Sequence, residues 1–220
     1  MHRHQFTGPN AALERAIEDD DPGAVDAALR AGASAGARGT YNITPVEYAV
    51  GTQKKQATAA LFRHKADPNL KDDEGDNAVT LAVKLYRTDP DLLRMVLDAG
   101  GDPNTRRPDN DPVIVHFLAD RNFDAITMLH ARGADLDAVG RDRRSLIVRT
   151  AGAADWDVVW HMIELGADTE LPKTQAGLVF NFIEPVFPSP GSPLYLDKVK
   201  VYRFLVAKGL HPTPPVGLAP

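Results

Sequence analysis

The chain has 220 residues, of which 43% are hydrophobic and 25% are charged, so it has enough apolar side chains for a globular core. A formal net charge of -5 argues against nucleic acid as a partner, and the absence of cysteine excludes disulfides and thiolate metal sites. The first 18 residues lack the apolar run of a signal peptide, and no run approaches the roughly 18 residues that span a bilayer, so we expect a cytoplasmic protein with no membrane partner.

Pairs of short helices are predicted along the chain, and each pair ends in a polar turn. In the second pair, Thr44 precedes Pro45, which predicts an N-cap followed by proline at the first helical position. Lys65 ends that pair at a position where glycine normally supplies a left-handed C-cap. The other pairs are predicted within 11–33, at 77–86 with 91–99, at 111–115 with 123–129, and at 145–151 with 155–165.

A three-residue phrase closes these pairs at a nearly fixed distance. Gly133-Ala134-Asp135 and Gly166-Ala167-Asp168 lie 33 residues apart. Variants of the phrase begin at Gly32, Lys65, Gly100 and Gly209. A period between 20 and 50 residues is typical of repeat architectures. Because neither helix of a pair can bury its apolar face alone, neighbouring pairs are expected to stack and share a core.

The opening and closing motifs resemble those of one family. Thr44-Pro45-Val46-Glu47-Tyr48-Ala49 resembles the Thr-Pro-Leu-His-x-Ala signature of ankyrin repeats, and Gly101-Asp102-Pro103-Asn104 is similar to the closure of that family. The resemblance, which extends to free-standing bacterial ankyrin proteins, implies an all-α ankyrin-repeat solenoid. Its helix-turn-helix units would stack, its first helices would line a concave face, and the loops after the closures would form short β-hairpin fingers.

About six divergent repeats are expected in residues 10–212. A nine-residue N-terminal extension, 1–9, would precede them, and a disordered tail, 213–220, would follow. The expected repeat boundaries are 10–37, 38–71, 72–104, 105–138, 139–171 and 172–212.

Two positions depart from the family signature. The signature histidine is replaced by Glu47, Thr80, Ile114 and Ile147. The small alanine, present as Ala16, Ala49 and Ala82, is replaced by His116 and Arg149. Two interpretations are open: His116 and Arg149 reach a bound partner, or they pair with the nearby Asp120 or Asp142.

The last repeat contains a proline-rich insertion at 183–197, which forbids a continuous helix there. Long ordered loops are often functional, so Phe187 and Tyr195 are candidate aromatic anchors for a partner. The alternative is a terminal cap whose aromatic rings cover the end of the core, since terminal repeats are atypical for that reason.

Arginines cluster on two predicted fingers. The clusters consist of Arg106 and Arg107, and of Arg141, Arg143 and Arg144. Guanidinium groups bind carboxylates and phosphates in a bidentate manner and are enriched in interface hot spots. These residues predict a partner with an acidic patch; an ordinary charged surface is the alternative.

No catalytic signature is recognised in the sequence, so we expect neither an enzyme nor a catalytic residue, and no cofactor or metal. The expected function is a monomeric protein-protein interaction module that binds one partner through its concave face and fingers. The first hypothesis is an immunity protein that neutralises a bacterial toxin or secreted effector. The alternatives are a regulatory or chaperone-like adaptor for an endogenous enzyme, a host-directed effector, and an enzyme with a cryptic site near Glu184, Tyr195 and Asp197.

Overall fold

The computed structural model describes residues 6–169, 189–212, 214–215 and 217–218. It divides into two compact units, Met1–Asp109 and Asn110–Pro220, which are described separately. The described helices of the first unit are α1 (Asn10–Glu18), α2 (Pro22–Arg30), α3 (Pro45–Gly51), α4 (Lys55–Arg63), α5 (Ala78–Lys84) and α6 (Pro90–Asp98). Those of the second unit are α7 (Val115–Ala119), α8 (Phe123–His130), α9 (Leu146–Gly152), α10 (Trp156–Glu164) and α11 (Pro193–Ala207).

Consecutive helices form pairs, and the pairs stack within each unit. In the first unit α1 packs on α2 and α3, α2 packs on α4, and α3 packs on α5. In the second unit α7 packs on α8, and α10 contacts both α9 and α11. The core is made of small and branched apolar side chains that are fully buried, such as Ala49, Leu92, Ile126 and Val158. The described residues therefore form the helical architecture that the sequence predicts.

Side-chain caps fix the starts of α3 and α5 in the first unit. Thr44 and Glu47 form a capping box: the Thr44 N–H donates to Glu47 Oε2 over 2.6 Å, and the Glu47 N–H donates to the Thr44 hydroxyl over 3.2 Å. Asn77 and Thr80 form the same reciprocal arrangement at the start of α5. The predicted N-cap at Thr44 is thereby confirmed.

The recurring closing phrase ends the second helix of each pair. Its first residue takes a left-handed conformation, with φ of +103° at Gly32, +94° at Gly100, +93° at Gly133 and +99° at Gly166. In each case the next N–H donates back to a helical carbonyl five residues earlier, as from Ala134 to Leu129 over 3.0 Å. Lys65 adopts the same conformation at φ +61°, as the sequence predicts. The degenerate copy at Gly209 closes α11 in the same way, with φ +81°.

The predicted β-hairpin fingers are tight turns in the described residues. The turns 39–43, 72–76 and 140–144 are each closed by a backbone hydrogen bond of 2.9 Å from their first to their last residue. An isolated antiparallel bridge joins Val139 to Ser145 beside the last of them. We call 72–76 the acidic finger and 140–144 the arginine finger.

A shared burial pattern gives the register of the repeats. In the segments 44–50, 77–83, 112–118 and 145–151, the fifth residue is partly exposed and the other six are buried. The partly exposed residues are Tyr48, Leu81, His116 and Arg149, and the buried residues that follow them are Ala49, Ala82, Phe117 and Thr150. The prediction that His116 and Arg149 replace the small alanine is therefore wrong by one position.

The same one-residue correction applies to the signature histidine, whose position holds Val115 and Val148 in the second unit. The predicted register took Asp111-Pro112 as a helix opening like Thr44-Pro45. In the structure α7 begins only at Val115, and no side chain caps it. The turn between α5 and α6 has five residues, 85–89, where the other described pairs have three, and this lengthening displaces the following repeat.

The C-terminal insertion differs from its prediction where it is described. Residues 183–188 lie outside the described residues, but 193–197 form the first turn and a half of α11. Ser192 caps this helix by accepting a hydrogen bond from the Tyr195 N–H over 3.2 Å. Pro193 occupies the first helical position, where its missing N–H needs no partner, so it starts the helix and does not break it. The repeat boundaries themselves stay a prediction.

Candidate functional site

The arginine finger presents three guanidinium groups to solvent. Arg141, Arg143 and Arg144 are all exposed. Arg143 sits at the tip with φ +63°, a left-handed conformation that a non-glycine residue rarely adopts. Within the described residues, the side chains of Arg143 and Arg144 form no ion pair. The backbone of this finger is therefore held in one conformation, and two of its three arginine side chains are available to a partner.

A buried carboxylate holds the base of the arginine finger. The Asp111 side chain is only 2% exposed, and its Oδ1 accepts a hydrogen bond from the Arg141 N–H over 2.8 Å. Arg149 Nη1, from α9, donates to both carboxylate oxygens over 2.9 Å, and Arg141 Nε lies 3.6 Å from Oδ2. Charge-assisted bonds of this kind are stronger than neutral ones. Asp111 therefore holds both the arginine finger and α9, although it lies 38 residues before Arg149 in the sequence.

Gly140 makes this close approach possible. A Cβ added there would lie 3.1 Å from Arg149 Nη1, from Asp111 Oδ1 and from Asp142 Oδ1. Since few real Cβ atoms approach that closely, a larger residue would require the neighbouring side chains to shift by a few tenths of an ångström. The sequence suggested Asp120 or Asp142 as the partner of Arg149. Both are wrong, because Arg149 binds Asp111.

His116 lies on α7 at the corresponding position of the preceding repeat. Its Nε2 is 3.7 Å from Asp120 Oδ2, one helical turn away, and its ring meets Phe117 edge-on at 5.3 Å between centroids. The interpretation that His116 pairs with Asp120 therefore fits the structure. The contact with a partner that the sequence also suggested stays a prediction.

The remaining candidates are placed elsewhere. Arg106 and Arg107 belong to the first unit, where Arg107 pairs with Asp109 at 2.5 Å and the Arg106 carbonyl accepts from Lys71 Nζ over 3.0 Å. Phe187 lies outside the described residues. Tyr195 is 8% exposed on α11 and belongs to the core, which favours the terminal-cap interpretation over an exposed anchor.

A surface pocket of about 120 Å³ lies between α7 and α9. Its apolar lining comes from Val115, Leu118, Ala119 and Ala153, and its polar lining comes from Arg149, Thr150 and Asp155. Asp155 is also within 3.4 Å of Arg121 Nη1, and the same guanidinium binds Asp157. Sequence reasoning missed this pocket because its lining depends on the register of α7 and α9, which the sequence placed one residue away.

The first unit contains a buried carboxyl group at the signature-histidine position. Glu47 is fully buried, and burial raises its pKa to about 7 despite the hydrogen bond that its Oε2 accepts from Thr44. Its Oε1 has no hydrogen-bond partner within the described residues. Because the Glu47 side chain is fully buried, it cannot contact a substrate in this structure. We assign it a structural role in the capping box with Thr44.

One comparison with solved structures identifies the architecture. The crystal structure of EF0377, an ankyrin repeat protein, matches this chain over 91% of its length and over 98% of that chain, with a TM-score of 0.65 and 18% sequence identity. The chain has the ankyrin repeat fold. No protein-family model matches the sequence, and no curated protein sequence matches it.

The ankyrin repeat fold accounts for the recurring glycine closures and the paired helices. It leaves the chemistry of the surface to the individual sequence, because one fold hosts many functions. In the described part of the chain, no three His, Cys, Asp or Glu side chains are placed to hold a metal ion. None of the described helices has the length and apolar character that a bilayer crossing requires.

Proposed function

We propose that this ankyrin repeat protein is an interaction module that binds one partner protein through the arginine finger and the neighbouring face of α7 and α9. The proposal rests on the hydrogen bonds that Asp111 accepts from the Arg141 N–H and the Arg149 side chain, which we call the Asp111 clamp. It holds the finger backbone while Arg143 and Arg144 remain open to solvent. A preorganised finger loses less conformational entropy on binding than a free loop does. Arginine is also among the residues most enriched in binding hot spots.

The partner surface is expected to be acidic where it meets the finger. Residues 140–144 contribute three guanidinium groups and one carboxylate, Asp142. Guanidinium groups recognise carboxylates in a planar, bidentate geometry that lysine does not reproduce. Electrostatic complementarity of this kind mainly speeds association and selects among partners.

Capture of the partner from the native cell tests this proposal. We expect the wild-type chain to retain one stoichiometric protein, and the double variant Arg143→Glu, Arg144→Glu to lose it. The matched control is Arg203→Glu, Lys208→Glu, which changes the net charge equally at exposed positions at the C-terminal end of the same unit. Loss in both variants would indicate a general charge effect. Retention in both would exclude the arginine finger from the interface.

For the biological role we propose an immunity protein, which covers the active site of a toxin or secreted effector from a neighbouring gene. The negative net charge favours a basic toxin, and the arginine finger favours an acidic patch upon it. Deleting the gene should then release a toxic activity that a second deletion, of the partner gene, removes. If deletion instead lowers the activity of an endogenous enzyme, the chain is a regulatory or chaperone-like adaptor.

A further inference from the structure

We propose that the pocket between α7 and α9 is a binding site for an aliphatic side chain attached to a carboxylate, presented by a peptide segment. The inference rests on the proposed function, because it specifies what part of a protein partner the second unit recognises. It is carried by two features of the described residues: an unused edge of a guanidinium and an apolar lining beside it.

The unused edge belongs to Arg149. This guanidinium has five N–H donors, and only Nη1 donates to a described residue, the carboxylate of Asp111. Nε and Nη2 have no partner among the described residues, and neither is one of the buried polar atoms that lack one. The side chain is 32% exposed and lines the pocket. The Nε–Nη2 edge is the one that binds a carboxylate through two parallel hydrogen bonds.

Asp111 anchors the opposite end of the same guanidinium. Because both of its oxygens accept from Nη1, the Arg149 side chain is partly ordered before any ligand arrives. An arginine that is already ordered loses little side-chain entropy on binding, whereas a free one loses on the order of 1 kcal/mol or more. The hydrogen bonds of Asp111 therefore also order the Arg149 guanidinium that would bind the ligand carboxylate.

The positions of the charges place the ligand carboxylate at one end of the pocket. Arg149 supplies the cationic side chain of the lining. Asp155 supplies the carboxylate of the lining, and it shares the Arg121 guanidinium with Asp157, so its negative charge is only partly compensated and repels a ligand carboxylate. A ligand carboxylate is thus expected at the Arg149 end.

The remaining lining selects an aliphatic group. Val115, Leu118, Ala119 and Ala153 supply hydrocarbon surface, and the hydroxyl of Thr150 already donates to the Leu146 carbonyl over 2.8 Å. A volume of about 120 Å³ accommodates roughly eight or more water-sized spheres, at about 10–15 Å³ each, so the pocket has room for a branched side chain such as that of valine or leucine.

The carboxylate can come from a peptide C-terminus or from an aspartate beside the aliphatic residue. Both sources share the same chemistry, and small probes distinguish them. N-acetyl-leucine carries a terminal carboxylate, whereas the amide of N-acetyl-leucyl-aspartate carries it on a side chain. N-acetyl-leucinamide and the amide of N-acetyl-leucyl-asparagine are their neutral counterparts, identical in apolar content.

The test is a titration of the full chain with these four compounds, followed by amide chemical shifts in two-dimensional NMR spectra. We expect the two acids to shift the amide signals of Val115, Leu118 and Thr150, with dissociation constants on the order of a few millimolar for ligands of this size. The neutral compounds should bind about tenfold more weakly, because they cannot form the charged, bidentate pair. Whichever acid binds more tightly identifies the source of the carboxylate.

Two variants make the result specific. Arg149→Lys keeps a positive charge beside Asp111 and removes the bidentate edge, so it should weaken the acids about tenfold and leave the neutral compounds unchanged. Ala153→Leu fills the pocket from an exposed position and should abolish the shifts by all four compounds, while it leaves Arg149 and Asp111 untouched.

Equal shifts by acids and amides, or shifts that persist in both variants, would overturn the inference, and so would the absence of any shift. This test does not depend on the partner. If a partner is captured through Arg143 and Arg144 but the acids do not bind, the interaction module stands and the pocket inference falls. If the acids bind but no partner is captured, the pocket stands as a site for a small carboxylate ligand and the proposed function falls.

Discussion

The two units place a buried aspartate at the same position of the repeat and use it differently. Asp76, in the first unit, directly follows the tip of the acidic finger and pairs at 2.5 Å with Lys84 of the same repeat. Asp111, in the second unit, accepts from the Arg141 N–H and from Arg149, both in the next repeat. Lys84 is half exposed, whereas the Asp111 pair lies under a finger. One residue type thus stabilises a single repeat in one unit and couples two repeats in the other.

The units also differ in how their first helices begin. In the first unit α3 and α5 each start with a reciprocal capping box. In the second unit no side chain caps α7 or α9. The Arg149–Asp111 pair instead attaches α9 to the preceding repeat. At α9 a long-range ion pair supplies the constraint that a local cap would otherwise provide, and this arrangement leaves arginine side chains available to a ligand.

The largest expected effect is the loss of the Asp111 clamp. Asp111→Ala leaves Arg149 without its carboxylate and the Arg141 N–H without its acceptor, so we expect the free energy of unfolding to fall by about 3–4 kcal/mol. Asp76→Ala removes one bond to a half-exposed lysine and should cost about 1 kcal/mol. Urea unfolding of both variants measures the difference. Equal losses would show that the two aspartates have the same role.

The second prediction concerns pH and belongs to the first unit. The pKa of Glu47 is raised from 4.5 to about 7 by burial, so the folded state holds its proton more tightly than the unfolded state does. The stability that the protonated group contributes is complete below pH 4.5, falls as pH rises to about 7, and is lost above it. The total loss should be about 3 kcal/mol, from about 1.36 kcal/mol for each pKa unit between 4.5 and about 7.

Glu47→Gln checks this assignment, because the amide oxygen still accepts from the Thr44 N–H. Its free energy of unfolding should be nearly constant between about pH 5 and pH 8, while that of the wild type falls. The matched control, Glu74→Gln, changes an exposed carboxylate on the acidic finger and should leave the pH dependence intact. A wild-type curve that is flat over this range would contradict the account of Glu47.

A smaller effect is expected at Gly140. In Gly140→Ala the new methyl group would lie 3.1 Å from both members of the Asp111–Arg149 pair, so unfolding should become easier by about 1 kcal/mol. Gly36→Ala in the first unit is the control, since its nearest neighbour, the Ser34 hydroxyl, is 3.9 Å away. Thermal unfolding of the two variants compares them. If Gly140→Ala leaves the thermal stability unchanged, the finger can move away from α9 without loss of stability, which would contradict this prediction.

The smallest effects are expected for the ion pairs on the helix surface. Arg121 pairs with Asp155 and Asp157 in the second unit, and Arg63 pairs with Asp26 in the first. Both arginine side chains are about half exposed, so Arg121→Met and Arg63→Met should each lower the free energy of unfolding by less than about 1 kcal/mol. Added salt should reduce these differences further. A loss as large as that of Asp111→Ala would contradict the ranking.

Much of the fold could be predicted from the sequence because its signals are local. The left-handed closing residue and the Thr-Pro opening each act within a few positions, and the closing residue recurs with a period near 33 residues. The structure has all three features. The register of the second unit was not predictable in the same way. Pro112 imitates a helix opening, and the longer turn before α6 displaces the next repeat.

The candidate site was predicted less completely. The exposed arginines at 141–144 follow from the position of the finger after each closure. The acceptor of Arg149 does not, because Asp111 lies 38 residues away and sequence reasoning assigned it to a helix start. The prolines before Tyr195 predict a loop, yet Ser192 and Pro193 together start a helix in which Tyr195 is buried.

The most direct test of the central claim is a double-mutant cycle on Asp111 and Arg149. The free energy of unfolding is measured for Asp111→Asn, Arg149→Met and the double variant, and the same is done for Asp76→Asn with Lys84→Met. We predict a coupling energy of about 2 kcal/mol for the pair in the second unit and below about 0.5 kcal/mol for the pair in the first. Coupling near zero at Asp111–Arg149 would contradict the claim that this ion pair holds the arginine finger in place.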